Sequence, residues 1–277
     1  MNKSKIVEII FHNGQPDGIR RIRKNNSTIT TYVVPRPLLS EAKTLTGVNN
    51  PGIYYLISES DDNSIAQIYI GQTSKGISRL DDHNRSKDFW NKAILFLADS
   101  KTFTLDMISG LEKYAIQKAM ESKRYKVENS VVPKYEIDEY AMVSVEENYD
   151  EIQFIMGTQG YKMDDAKASS NQANILHTTR NGIEAFGVYD GEKFEVLEGS
   201  QINIDKEAKL ERYNKQRTDL ITNGSITKVD GKFILNIILD FNTPSGASDF
   251  VLGGSTNGWI EWKNSDGKTI DELFRKG

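Results

Sequence analysis

The sequence predicts an α+β protein in two parts, and three observations carry that expectation. Short apolar runs of strand length (GIYYLI, QIYIGQ, KAILFLA) alternate with helical spacing between residues 51 and 130, in the order β-β-α-β-α. A second strand-and-helix rhythm resumes after residue 183 and runs to the C-terminus. Between them the pattern weakens, and KASSNQAN has the composition of a linker. The expected organisation is a β-rich segment over 1–50, a small core over 51–130, a connecting region over 131–180 and a separate α+β domain over 181–277.

Taken in order, KIVEIIF and TITTYVV read as strands, separated by the turn-rich NGQPDG and a basic cluster, Arg20, Arg21, Arg23 and Lys24. Pro35 and Pro37 close the second run, and residues 38–45 suit a short helix. GIYYLI and QIYIGQ form a hairpin across the polar SESDDNS. KAILFLA, apolar almost throughout, suits a central strand covered on both faces. Leu105, Ile108, Leu111, Ala115 and Ala119 recur at helical steps. DEYAMVSVE reads as a strand and IQFIMG as an apolar patch. Further on, AFGVY and FEVLEGS make a hairpin around Asp190-Gly191, and residues 206–222 are helical. FILNIILDF reads as one buried strand, Pro244 after Thr243 opens a helix, and Asn257-Gly258 marks a turn before WIEWK.

The chain has 277 residues, and no apolar run is long enough to span a bilayer. MNKSKIVEII lacks the apolar stretch of a signal peptide, and there is no cysteine for a disulfide, thiolate site or thiol nucleophile. A cytoplasmic protein without membrane contact is expected. The net charge of -4 is unevenly spread: residues 1–50 carry eight Lys/Arg against three Asp/Glu, and residues 181–277 carry twelve against sixteen. The basic cluster suits phosphate contacts, or equally a charged hairpin edge that discourages strand pairing.

The chemistry concentrates in the core. Strand alternation sends Tyr54 and Tyr55 to opposite faces, so only one can line a site, and Tyr69 lies on the paired strand. Gly71 removes a side chain where something passes close. Arg79 and His83 share a helix face, and Glu112 falls on or beside the apolar face of its helix. An inward carboxylate is costly unless it is paired or holds a cation.

Gly52-Ile53-Tyr54 and Tyr69-Ile70-Gly71, followed in order by Arg79, His83, the Leu111-Glu112 pair and Asn129, resemble the GIY-YIG nucleases. Phe89-Trp90 through Ala93 is similar to that family's lead-in to its third strand. The resemblance covers about 80 residues. It implies a DNA endonuclease in which Glu112 holds one Mg²⁺ (or Mn²⁺) and Arg79 clamps the scissile phosphate. Tyr54 or Tyr69, by family precedent the second, would activate the water, and Asn129 would hold substrate or water. A phenol is too protonated at neutral pH to act alone, which makes His83 the natural proton acceptor. Gly71, Gln72, Lys75 and the basic cluster are the candidate substrate contacts. Gln72 stands where many members of the family carry Lys. The alternatives are a non-catalytic nucleic-acid-binding module, or a nuclease subunit active only with a partner.

Residues 181–277 resemble a domain of unknown function often fused to this module, most clearly from Pro244 to Leu273. Ser245, Ser248, Ser255, Asn257, Trp259, Trp262 and Lys263 suit either a substrate surface or ordinary packing, with packing favoured. The acidic C-terminal half is a candidate surface for a protein partner or a homodimer. His12 and His177 lack ligand-spaced companions, and Asp61-Asp62 and Asp81-Asp82 read as solvated acids.

Overall fold

A computed structural model describes residues 4–58, 66–163 and 175–275. Asp61-Asp62, most of SESDDNS and the KASSNQAN segment lie outside them. The chain is α+β and divides into two compact units. The first comprises the described residues up to Met163 except 121–124, which group with 175–275 in the second.

The first unit is built on a seven-stranded sheet. Its strands are β1 (Val7–Phe11), β2 (Arg20–Lys24), β3 (Thr30–Pro35), β4 (Gly52–Ile57), β5 (Gln67–Thr73), β6 (Lys92–Leu97) and β7 (Lys126–Val127). The order across the sheet is β1-β2-β3-β6-β4-β5-β7, antiparallel except for β5 with β7. The helices are α1 (Leu39–Ala42), α2 (Leu80–Ser86), α3 (Leu105–Ser122) and α4 (Glu139–Thr158), and a 3-10 turn, Gly76–Arg79, runs directly into α2. Residues 51–130 therefore follow the expected β-β-α-β-α order. KAILFLA is the central strand β6, hydrogen-bonded on both sides and buried along nearly its whole length.

Side-chain alternation divides the core in two. Tyr55, Ile94 and Phe96 face α3 and α4 with Ile108, Leu111 and Ile152. Tyr54, Leu95 and Tyr32 face α1 and α2 with Leu39 and Leu80. Both layers are close-packed, and burial of their apolar area drives their formation.

Residues 1–50, expected as a separate segment, supply three strands to this same sheet. DEYAMVSVE is not a strand. It opens α4, where the Asp138 carboxylate caps the helix by accepting from the backbone N–H of Tyr140 and Ala141. The helical period appears only when the run is read on through IQFIMG. Val145, Tyr149, Ile152 and Met156, at steps of three and four, form its buried face.

The second unit carries two sheets. One orders β14-β10-β9-β8, from β8 (Leu176–Thr178), β9 (Ala185–Tyr189), β10 (Phe194–Val196) and β14 (Leu239–Phe241). The other orders β11-β13-β12, from β11 (Gln201–Ile202), β12 (Ile226–Val229) and β13 (Lys232–Leu235). FILNIILDF is split between them. Asn236 interrupts it, its side-chain amide donating to Gly224 O and Thr227 Oγ1, so the chain leaves one sheet before joining the other. The unit's helices are α5 (Glu211–Thr222), α6 (Pro244–Leu252), α7 (Gly258–Glu261) and α8 (Ile270–Phe274). WIEWK begins on α7: Asn257 caps it, Trp262 is fully buried and Trp259 partly so. No helix among the described residues is long and apolar enough to cross a membrane.

Candidate active site

The site grows from the register of β4 against β5. Tyr54 lies opposite Gly71, and a Cβ at that glycine would come within 2.4 Å of the Tyr54 hydroxyl. The glycine is needed for contact: the phenol ring crosses the backbone of β5 there. Tyr55 points the other way, into the core beside Phe96, and has no part in the site.

The Tyr54 hydroxyl meets His83 Nε2 at 2.6 Å. Tyr69 completes an aromatic triangle, its ring centroid 5.0 Å from His83 and 6.3 Å from Tyr54. Arg79 and His83 reach this triangle together because the turn at Gly76–Arg79 continues into α2, which preserves their four-residue step. Arg79 also makes a 3.3 Å contact with Asp82. From the other side of β5, Glu112 on α3 accepts from the backbone N–H of Gln72 at 3.0 Å.

Burial governs the electrostatics. It pushes both tyrosines above their ordinary pKa of 10.0; neighbouring charge from Tyr69 (on Tyr54) and Glu112 (on both) adds to this, while Arg79 opposes it. Burial, then the charges of Arg79 and Lys87, lowers His83 from 6.5 to about 4. The imidazole is therefore neutral at neutral pH, and in the tautomer that leaves Nε2 bare it accepts the Tyr54 hydroxyl hydrogen bond, as a weaker base than an ordinary histidine. Glu112 is raised by burial and pulled back by the Gln72 bonds and by Arg79. Arg79 alters the titration of all four of the others, so five side chains distant in sequence share one electrostatic neighbourhood.

An open cleft of about 560 Å³ is lined by Gln72, Lys75, Ser78, Arg79, Asp82 and Leu105 among others, so Arg79 is the member of the five that reaches it. Its size suits a phosphodiester group and its flanking sugars more than a large folded ligand.

The other expected residues fall elsewhere. Asn129 clamps β5: its Oδ1 accepts from Ile70 N and its Nδ2 donates to Ile70 O, so its amide is committed to positioning the strand between Tyr69 and Gly71. The basic cluster forms β2, and alternation splits it between two faces. Lys24 pairs with Glu151 of α4, while Arg21 and Arg23 share the face of Tyr54. Three strand spacings, about 14 Å, separate β2 from β4, so the cluster lies outside the cleft.

Sequence reasoning missed Lys87, Asp82 and Ser109. The Lys87 ammonium sits 4.3 Å from the Tyr69 ring centre, a cation-π contact. The same four-residue step that joins Arg79 to His83 leads on to Lys87, a signal that was available. Asp82 holds both Arg79 and Arg85. Ser109, one helical turn before Glu112, donates to the Gln72 side chain and completes a brace around the carboxylate.

The described residues contain no cluster of three or more His, Cys, Asp or Glu able to hold a metal. A closed metal centre therefore does not fit. A hard divalent cation that takes one carboxylate and keeps most of its waters does, because Glu112 is a charge whose burial is only partly offset.

Comparison with known proteins gives one match: the family model of a domain of unknown function, DUF4357, covers residues 176–274. That span is the second unit from the start of β8, five residues earlier than the boundary expected at 181. A GIY-YIG family model does not match. No curated protein and no solved structure matches the chain.

Proposed function

We propose that the first unit is a metal-dependent endonuclease of the GIY-YIG type, hydrolysing phosphodiester bonds in DNA. The observation that carries this reading is the Tyr54–His83 hydrogen bond, set among Tyr69, Arg79 and Glu112 at the edge of an open cleft. A buried phenol bonded to an unprotonated imidazole can relay a proton, and an arginine beside it can hold an anion.

In this reading Arg79, turned from Asp82 towards substrate, binds a non-bridging phosphate oxygen and stabilises the charge that builds as water attacks. Tyr69, half-buried beside His83, orients that water. Tyr54 stands behind it: as the water's proton passes to the Tyr54 oxygen, Tyr54 gives its own proton to His83 Nε2 in the tautomer bare at that nitrogen, and the tyrosine stays neutral throughout. Neither tyrosine acts as a free base, since burial keeps both protonated well beyond neutral pH. Glu112 would hold the Mg²⁺ or Mn²⁺, which when bound supplies neutralising charge for the scissile phosphate and the departing oxygen. Gln72 and Ser109 keep that carboxylate in place, and Asn129 keeps Tyr69 in line.

The test is cleavage of plasmid, linear duplex and single-stranded DNA with Mg²⁺, Mn²⁺ or EDTA, comparing wild type with Glu112→Ala. Metal-dependent cutting that the substitution removes supports the reading. Binding without cutting at any metal concentration leaves a nucleic-acid-binding module instead, and cutting that survives the substitution overturns the assigned site.

A further inference from the structure

We propose that β1 is the surface through which two copies of this chain pair, edge to edge and antiparallel, with Ile9 of one opposite Ile9 of the other. The strand ends the seven-stranded sheet and is apolar where an edge is ordinarily guarded. Ile9, Ile10 and Phe11 are 40%, 53% and 43% exposed, and Ile6 just before them is 61% exposed, whereas β4 in the same sheet is wholly buried. The charges that could guard this border, Arg20, Arg21, Arg23 and Lys24, stand one strand inward on β2. On β1 itself only Glu8 is charged.

The hydrogen-bond parity of the hairpin fixes the register. Asn25 N donates to Ile6 O, and His12 N donates to Ile19 O. In an antiparallel ladder alternate residues bond to the same neighbour, so Ile6, Glu8, Ile10 and His12 turn their main-chain groups to β2. Val7, Ile9 and Phe11 turn theirs outward. A two-fold axis at Ile9 sets Val7 against Phe11 of the second copy on either side of the Ile9 pair. Three residues with outward donors and acceptors then meet three more, about six main-chain hydrogen bonds in all.

The side chains agree with that register. Val7, Ile9 and Phe11 project on the face of Ile22 and the first core layer, so pairing extends an existing apolar surface. Glu8 falls opposite Ile10 of the second copy, and no like charges are opposed along β1. A strand of another protein could use the same hydrogen bonds, but self-pairing is favoured because this short sequence complements itself about its own centre. A contact this small is weak, which places the dissociation constant near the micromolar range.

The experiment is sedimentation equilibrium of the full chain across the micromolar range, without nucleic acid or metal. Wild type is expected to shift from one-chain to two-chain mass as concentration rises. Ile9→Pro removes an outward N–H that the hairpin does not use, so it should stay at one-chain mass with unchanged circular dichroism and melting. Ile9→Lys, which sets two ammonium groups face to face, should raise the dissociation constant at least about tenfold and decides the matter if the proline variant unfolds. One-chain mass for wild type at every concentration overturns the proposal, as does unaltered association in the folded variants. The readout involves no cleavage, so it stands or falls apart from the nuclease reading.

Discussion

Two arginine-and-carboxylate settings, one in each unit, are managed in opposite ways. In the second unit Arg217 donates to the carbonyls of Phe250, Lys206 and Asp249, while the Asp249 carboxylate accepts from Lys209 N and Leu210 N. Burial lowers the guanidinium to about 10, yet its donors go to backbone oxygens of this unit. In the first unit Arg79 is half-exposed at an open cleft, held by a long contact to Asp82 and a hydrogen bond with the Tyr54 hydroxyl, while Glu112 carries a burial penalty that its bonds to Gln72 offset only in part. A charge whose bonds are made inside the fold builds structure. A charge desolvated at a cleft with capacity remaining is prepared for something that arrives later.

Substitutions can break that contrast from either side. The largest effect is expected from Glu112→Ala, which should cut DNA cleavage by about 100- to 1,000-fold in steady-state assays while leaving the melting temperature unchanged or slightly raised. Arg217→Met should do the reverse. Leaving buried carbonyls without donors costs about 1–3 kcal/mol each, so the second unit should melt earlier in calorimetry with cleavage by the first intact below that transition.

Gly71→Ala sits between these cases. Its methyl would press on the Tyr54 hydroxyl, an overpacking cost of about 1–3 kcal/mol, and should depress cleavage more than stability because it separates Tyr54 from His83. Thermal melts read alongside kcat would show the split.

The smallest effect is one of pH. The folded pKa of His83, about 4, lies below its ordinary 6.5, so the folded state favours the neutral ring. Its contribution to stability is present above pH 6.5 and is lost as pH falls towards 4, the protonated form being favoured only in the unfolded chain. Cleavage should lose activity only as pH falls through the folded value, about 4, and His83→Gln should remove that limb from the pH-rate profile. A His83 resonance titrating near 6.5 by NMR would contradict the buried, neutral state.

Much of the first unit was legible because its signals are local. The strands β4, β5 and β6 announce themselves by composition, and α3 by its period, and the four-residue step from Arg79 to His83 puts both on one side of a helical turn. Strand parity was also enough to separate Tyr54 from Tyr55. What was not legible depends on longer windows or on partners. The helix α4 shows its period only over a dozen residues, and its first nine imitate alternation. FILNIILDF hides its break in a single Asn whose two acceptors come from a distant turn and strand. Asn129 entered through the family resemblance alone, as a holder of substrate or water; only coordinates show its amide bonded to Ile70. The basic cluster read as one patch because four neighbours in sequence are not four neighbours on a strand.

The Asn129 clamp has an outcome beyond the site. By imitating a further rung on β5, next to the parallel bridge from β7, it occupies the main-chain groups of Ile70 that another strand would need. If two copies pair through β1 about a two-fold axis, each uses up the other's margin there, while Ile70 on the far side stays occupied. Such assembly ends at two rather than running on into a fibre.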